Sequence, residues 1–344
     1  MFHKFILDSS EENEDDYDMN FIDPSYNENK LVKNDSINEP KSHYDHSSNR
    51  KFDYGYKNQK YHNHNYSNPK FGYKQEQNYK RNRGSPLSPQ DQYRKKIAEE
   101  NHKIVLKHPE LIDFDGVKTI GIYHHFNIPD NINRKCPIRV FDCSTIEAAI
   151  QCHDAHPQNK ICILNFANSV RPGGGYLNGR NAQEECLCRQ TLLYPTIQKS
   201  YMYYENKQKG SKPEASDIMI YSPNVLVIRN DDYKMIHPFR VDIISAAVDN
   251  RGGNIYNIEE IMMNRIRKII KIAAEEKVEV LILGAFGCGV FKNDTKTVSE
   301  LFAKVLLDEG LKDYFNLIVF PIYKGSPHTM QIFQTALKPA GKKL

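Results

Sequence analysis

Apolar positions are sparse over the first quarter of the chain and regular after it. Residues 1–88 are dominated by Asn, Tyr, Lys, Ser and Asp, with no sustained apolar period. Such a segment buries too little apolar surface to offset its ordering entropy, which predicts a disordered, low-complexity tail. From Ser88 the pattern changes. Ser88-Pro89 reads as a helix entry, and Tyr93, Ile97, Ile104 and Val105 carry a helix to His108-Pro109. Val117–Tyr123 and Ile138–Phe141 read as strands, and Ser144-Thr-Ile-Glu147 opens a helix with a capping-box pattern. Lys160–Phe166 is a continuous apolar run of the kind found in the middle of a parallel sheet. A helix is expected from Ala182 through Leu187, Leu192 and Leu193, then strands at Ile218–Tyr221, Val225–Ile228 and Val241–Ala247. An amphipathic helix follows over Ile258–Glu276, then a strand at Glu279–Leu283, a helix at Thr297–Leu307, a strand at Asn316–Ile322 and a helix at Thr329–Ala336. Alternating strands and helices predict one α/β domain with a mixed sheet over residues 89–338.

Charge sharpens the picture of the tail. Residues 1–30 hold nine acids and two lysines, whereas residues 31–95 hold thirteen Lys or Arg and six acids. Tyrosines 54, 56, 61, 66, 73 and 79 and Phe71 are interleaved with the basic residues. Cations can meet phosphates while aromatics stack on bases, so this stretch is a candidate weak contact for a polyanion or nucleic acid. A solvated, compositionally biased linker is the plainer reading.

The seven cysteines include no CxxC pair and no zinc-ligand spacing, so the expectation is free thiols in a reducing compartment and no metal site. The amino-terminal apolar run is too short for a signal peptide, and no stretch approaches 18 apolar residues. The expected location is cytoplasmic or nuclear, with no membrane contact. Lys80-Arg81-Asn82-Arg83 is a short basic run of the nuclear-signal kind.

Two glycine-rich loops follow apolar strands. Gly173, Gly174 and Gly175 form one; Gly284, Gly287 and Gly289 form the other, which continues through Phe291 to the capping candidates Asn293, Asp294 and Thr295. Glycines let main-chain amides approach an anion closely, and two such loops could hold a diphosphate between them. Neither a Walker-type GxxxxGK[ST] nor a GxGxxG dinucleotide fingerprint is present. Tight turns without a ligand are the alternative. Seven residues after the triple glycine stand Gln183, Glu184 and Glu185. Acids at a helix start complement its dipole. Beside an anion loop they also offer the carboxylic acid and carboxylate that hydrolysis of a glycosidic bond needs.

Triple glycine, a short spacer and Gln-Glu-Glu resemble the signature of the poly(ADP-ribose) glycohydrolase family, most closely its microbial type. Leu164–Asn168, Leu187–Tyr194, Tyr221–Val225, Arg229–Asp231 and Gly284–Asp294 extend the resemblance over roughly residues 92–335. It implies a macrodomain-like three-layer α/β/α sandwich and a hydrolase that cleaves ribose–ribose O-glycosidic bonds, with exo-cleavage releasing ADP-ribose and no cofactor. It implies that Gly173, Gly174 and Gly175 contact the diphosphate, that Glu185 is the catalytic acid/base, that Glu184 holds the ribose and that Gln183 supports the pair. Gly287, Cys288, Gly289, Val290 and Phe291 would wrap the diphosphate from the other side, with Phe291 on the nucleoside end and Asn168 a ribose contact. The implied substrates are poly(ADP-ribose) or ADP-ribosylated proteins. A non-catalytic ADP-ribose reader and a hydrolase of single ADP-ribose units on protein or nucleic acid remain as alternatives. Two segments depart from the family pattern: Val248-Asp249, where relatives often have a proline-containing turn, and the lysine-rich loop from Asn206 to Ala215.

Overall fold

The computed structural model describes residues 87–129, 135–209, 215–248, 257–323 and 327–338. The tail reading falls on residues 1–88, of which all but the last two lie outside the described residues; Asp249, Asn250 and residues 210–214 of the lysine-rich loop lie outside them as well.

A seven-stranded mixed sheet runs through the domain in the order β1-β4-β5-β3-β6-β7-β2. Its strands are β1 (Lys118–Ile120), β2 (Ile138–Phe141), β3 (Ile161–Ala167), β4 (Met219–Arg229), β5 (Met235–Ala247), β6 (Val280–Ile282) and β7 (Leu317–Pro321). β5, β3, β6, β7 and β2 are parallel neighbours, whereas β1 and β4 add antiparallel pairings at one side. Helices α1 (Pro89–Lys107), α2 (Thr145–Ala155), α3 (Gln183–Gln190), α4 (Tyr194–Ile197), α5 (Tyr201–Gln208), α6 (Ile258–Glu275), α7 (Thr295–Ala303) and α8 (Pro327–Ala336) complete the described elements, with short single-turn helices between them.

The alternation of side chains along a strand builds the layers. In β3, Cys162 and Leu164 join the core formed with α6, α7 and α8, while Ile161 and Ile163 join the core formed with α2, α3, α4 and α5. The central strand is therefore buried on both faces, as its continuous apolar run requires. On α6 the buried face is Met262, Ile266, Ile269, Ile270 and Ala273, each fully buried isoleucine contributing about 2–3 kcal/mol. The fold is the α/β/α sandwich with a mixed sheet that the sequence led one to expect.

Three local expectations change. The helix after the triple glycine ends at Gln190, not Leu193: Thr191 takes an extended conformation and bridges Val227, and Leu192 N–H donates to Leu226 O. Leu192 and Leu193 are buried by sheet contact, and α4 and α5 follow as separate helices. The two strands foreseen before and after Pro223 are one strand with an irregularity, since Asn224 takes φ 54° and the register to β5 shifts between Ser222 and Val225. The Val117–Tyr123 strand shrinks to three residues, with Ile122 and Tyr123 in a turn.

Helix α1 packs on the loop that precedes α3. Tyr176 Oη donates to Ala98 O, and Asn101 Nδ2 donates to Cys188 O (3.2 Å) and Arg189 O (2.8 Å). Gly179 has φ 74°, and a Cβ there would overlap the carbonyl oxygen of Asp91. Both the left-handed backbone and the close approach of α1 require glycine. Gly179→Ala should therefore destabilise the domain by about 3 kcal/mol or more, lowering the melting temperature by roughly 6 °C or more, as read by thermal unfolding.

Candidate active site

β3 ends at Ala167, and the chain turns at once. Asn168 Oδ1 accepts from Val170 N–H (3.0 Å) and Arg171 N–H (2.9 Å), a side-chain-closed turn that sends the backbone back toward α3. Asn168 Nδ2 has no acceptor among the described residues, so of the whole side chain it is the amide that faces a ligand role.

The glycine triplet that follows donates to the two acids at the start of α3. Gly173 N–H donates to Glu184 Oε1 at 3.1 Å, Gly175 N–H donates to Glu185 Oε1 at 2.8 Å, and Gly174 N–H closes a turn on Arg171 O at 2.9 Å. All three amides are engaged within the protein. Within the protein, the Gly173 and Gly175 amides serve the carboxyl oxygens of the acid pair. Gly174 has φ 55°, and a Cβ on it would meet Glu185 Oε1 at 2.5 Å and Glu184 Oε2 at 3.2 Å. Both acids lie against this one residue, which leaves no room for a side chain.

Glu184 and Glu185 occupy the first turn of α3, whose N-cap, Ala182, has no capping side chain. Neither acid turns back to cap the helix; both reach the loop. Glu184 is 3 % exposed, and its second oxygen accepts from Asn168 N–H at 2.7 Å. Glu185 is 9 % exposed, and its Oε2 accepts no hydrogen bond among the described residues and retains contact with solvent. One acid is thus held through both oxygens and the other through one.

Gln183 supports the pair through the sheet. Its Oε1 accepts from Phe166 N–H (2.9 Å) and its Nε2 donates to Leu164 O (2.8 Å). That is the pairing a parallel strand would make opposite Asn165. β6 has already parted from β3 after Ile163, so a side-chain amide continues the ladder where the neighbouring strand stops.

Several contributors were missed from sequence. Asn165, fully buried in β3, donates to Ser245 Oγ (3.0 Å) and lies 3.5 Å from Glu184 Oε1. A polar residue inside an otherwise apolar strand was the available signal. Arg189, also fully buried, makes no ion pair among the described residues. Its guanidinium donates to Arg180 O, Asn181 Oδ1 and Tyr233 Oη, each at 2.8 Å, and so fastens the spacer between glycines and acids to the β4–β5 turn. Asp231 in that turn accepts from Gln190 Nε2 and Ser144 Oγ, tying the far end of α3 to α2.

The second glycine loop lies across the same edge of the sheet, because β3 and β6 are adjacent parallel strands and their carboxyl ends coincide. Phe166 packs on Phe286 with ring centroids 5.5 Å apart, joining the two loop bases. Here the amides are not all engaged: those of Gly287, Gly289, Val290 and Phe291 have no acceptor among the described residues. Asn293 pins the loop through Nδ2 and N–H to Gly287 O, both at 3.1 Å. Val290 is exposed, Phe291 is half-buried against the α6–α8 core, and a Cβ on Gly289 would meet nothing within 4 Å. Burial pushes the Cys288 thiol up to about 12, which keeps it protonated. The amino end of α7 is closed by Asp294, whose Oδ1 accepts from Thr297 N–H at 2.8 Å, so of the three capping candidates Asp294 fills the role.

Burial, and then the charge of Glu185, push Glu184 up to about 8 from an ordinary 4.5, against the pull of the Asn168 and Gly173 N–H groups. A folded-state value above the unfolded one means that the folded protein keeps a proton the unfolded chain has released. Stability falls as pH rises from about 4.5 to about 8, and the loss is complete above it. Glu184→Gln removes this titration. Its melting temperature should fall less than wild type between pH 5 and pH 8, by about a few degrees, in parallel thermal melts; identical slopes would contradict a displaced Glu184.

The profile of the family described as microbial-type PARG, catalytic domain, matches residues 43–230. No curated protein sequence matches the chain. Among solved structures, poly(ADP-ribose) glycohydrolase from Thermomonospora curvata aligns with a TM-score of 0.63 at 27% identity, over 71% of this chain and 99% of that one. The same enzyme bound to the inhibitor ADP-HPD gives 0.62 at 28% identity, again over 71% and 99%. Poly(ADP-ribose) glycohydrolase from Deinococcus radiodurans in complex with ADP-ribose gives 0.56 at 28% identity, over 65% of this chain and 94% of that one. More than half of the chain falls within the family profile, and the carboxylate pair, the triple glycine and the mixed sheet lie together as one site: the chain belongs to the microbial-type poly(ADP-ribose) glycohydrolase family, in its catalytic domain.

Proposed function

We propose that the chain is a poly(ADP-ribose) glycohydrolase that hydrolyses the ribose–ribose O-glycosidic bond and releases ADP-ribose. One observation carries the reading: a carboxyl group anchored through one oxygen by Gly175 N–H, with the other oxygen open, next to a second carboxyl that is buried and held on both oxygens. Glycoside hydrolysis needs a group that gives up a proton and takes one back. Glu185 suits that role through its open Oε2. It protonates the leaving 2′-oxygen as the C1″–O bond breaks, and then accepts a proton from the water that attacks C1″. Glu184 suits positioning, since its buried, doubly bonded carboxyl has little freedom to move.

The diphosphate of the terminal unit is assigned to the second loop, where the amides of Gly287, Gly289, Val290 and Phe291 suit an anion. Phe291 then packs on the nucleoside end, and Asn168 Nδ2 reaches the ribose. Gly173, Gly174 and Gly175 act on the substrate through the acids they hold. This arrangement suits an ADP-ribose-binding macrodomain. The basic, tyrosine-rich stretch of residues 31–95 suits a further electrostatic contact with the same polyanion. The accessible oxygen of Glu185 favours the enzyme over a non-catalytic reader, which would have no use for it.

Glu185→Gln should lower the release of ADP-ribose from a labelled polymer by about a thousandfold or more, with the affinity for free ADP-ribose nearly unchanged by calorimetry. Release at close to the wild-type rate would remove Glu185 from the chemistry.

A further inference from the structure

Arg180 stands out beside the acids. Its aliphatic stem crosses Gly175: a Cβ on that glycine would meet Arg180 Cγ at 2.5 Å and Cβ at 2.6 Å, with Glu185 Oε1 at 3.6 Å. The backbone of Arg180 is fixed from both sides. Its N–H donates to Gly175 O at 3.2 Å, and its carbonyl accepts from the buried Arg189 guanidinium at 2.8 Å. The residue is exposed, and its own guanidinium has no ion pair or hydrogen bond among the described residues, Glu185 included. A main chain held at both its N–H and its carbonyl, next to the glycine that lies against Glu185, thus carries a cation with no partner among the described residues.

We propose that Arg180 is a phosphate-binding residue for the leaving side of the substrate, contacting the diphosphate of the polymer unit that departs when the terminal one is cut. The inference rests on the glycohydrolase reading above. The free amides of the second loop suit the diphosphate of the terminal unit, and Glu185 stands at the bond to be cut. The stem of Arg180 crosses Gly175, on the glycine-triplet side of Glu185, and that side carries no free glycine amide among the described residues. The group that arrives there is the next nucleotide of the chain, and its diphosphate is the anion within an arginine's reach. A guanidinium matches two phosphate oxygens at once, and an exposed one is not cancelled by a neighbouring acid. Arg180 thereby favours polymer ends over single ADP-ribose units, which offer no second diphosphate.

The test uses the full chain carrying Glu185→Gln, which keeps substrate intact, and compares its affinity for ADP-ribose with that for a two-unit oligomer. Arg180→Met retains an unbranched stem across Gly175 and removes the charge. The expected result is about tenfold weaker binding of the two-unit oligomer at low salt, with single-unit affinity unchanged and partial recovery in Arg180→Lys. The preference of the unsubstituted Arg180 protein for two units should shrink as salt is raised, and the Met variant should show a shallower dependence. Equal weakening for both ligands would mark Arg180 as a structural support of the glycine loop, and no weakening for either would remove it from recognition; each overturns the proposal. Release of ADP-ribose by the unsubstituted chain reports separately on the glycohydrolase reading, so a failure of one is distinguishable from a failure of the other.

Discussion

Two adjacent carboxyl groups at the start of a short helix repel one another, and burial penalises both charges. Here the main chain offsets part of that cost, and Glu184 still keeps its proton up to about 8. N–H groups of Asn168, Gly173 and Gly175 donate to three of the four carboxylate oxygens, and the backbone that presents them can run so close only because Gly174 has no side chain. Much of the surrounding structure fixes the distance between that loop and α3. Gln183 ties the helix start to β3, Arg189 ties the spacer to the β4–β5 turn, and α1 closes over Gly179 and the carbonyls of Cys188 and Arg189. A loosening of any of these moves the acids relative to their donors.

This arrangement divides the labour of two similar-looking loops. Both are glycine-rich, both follow a parallel strand, and both open on the same edge of the sheet. In the first, the amides serve the enzyme's own carboxylates. In the second, four amides are left without an acceptor among the described residues. The difference follows from what comes next in the chain. The first loop leads to a helix whose first turn carries two acids that fold back onto it, whereas Asp294 at the start of α7 turns inward to Thr297. Glu184, held at both oxygens and buried, and Glu185, held at one and open, then differ in freedom rather than in chemical type.

Most of the layered fold was legible in the sequence, because period-two and period-3.6 burial patterns are local properties: β3, α6, β7 and the Val241–Ala247 half of β5 announce themselves by apolar spacing alone, whereas Met235–Arg240 of β5 does not. The acids and both glycine loops were legible for a similar reason, as contiguous residue types with a clear chemical use. What was not legible depends on long-range geometry. Thr191 breaks α3 because Val227 offers a bridge, which nothing in the local helical pattern encodes. Asn224 bends one strand where two separate apolar runs suggested two. Arg189 lies four residues after Glu185, the spacing of an ordinary helical ion pair, yet its guanidinium points to Arg180, Asn181 and Tyr233. The direction of the glycine amides was beyond the sequence too, since a loop that suits an anion does not say which anion.

The central claim is that the triple glycine binds the catalytic carboxylates while the second loop is left for the diphosphate. A crystal structure of the chain with ADP-ribose tests it most directly. The account predicts diphosphate oxygens within hydrogen-bond distance of the amides among Gly287, Gly289, Val290 and Phe291, with the Gly173 and Gly175 amides still on Glu184 and Glu185. Gly173 and Gly175 amides turned away from the acids and onto the phosphates would contradict it.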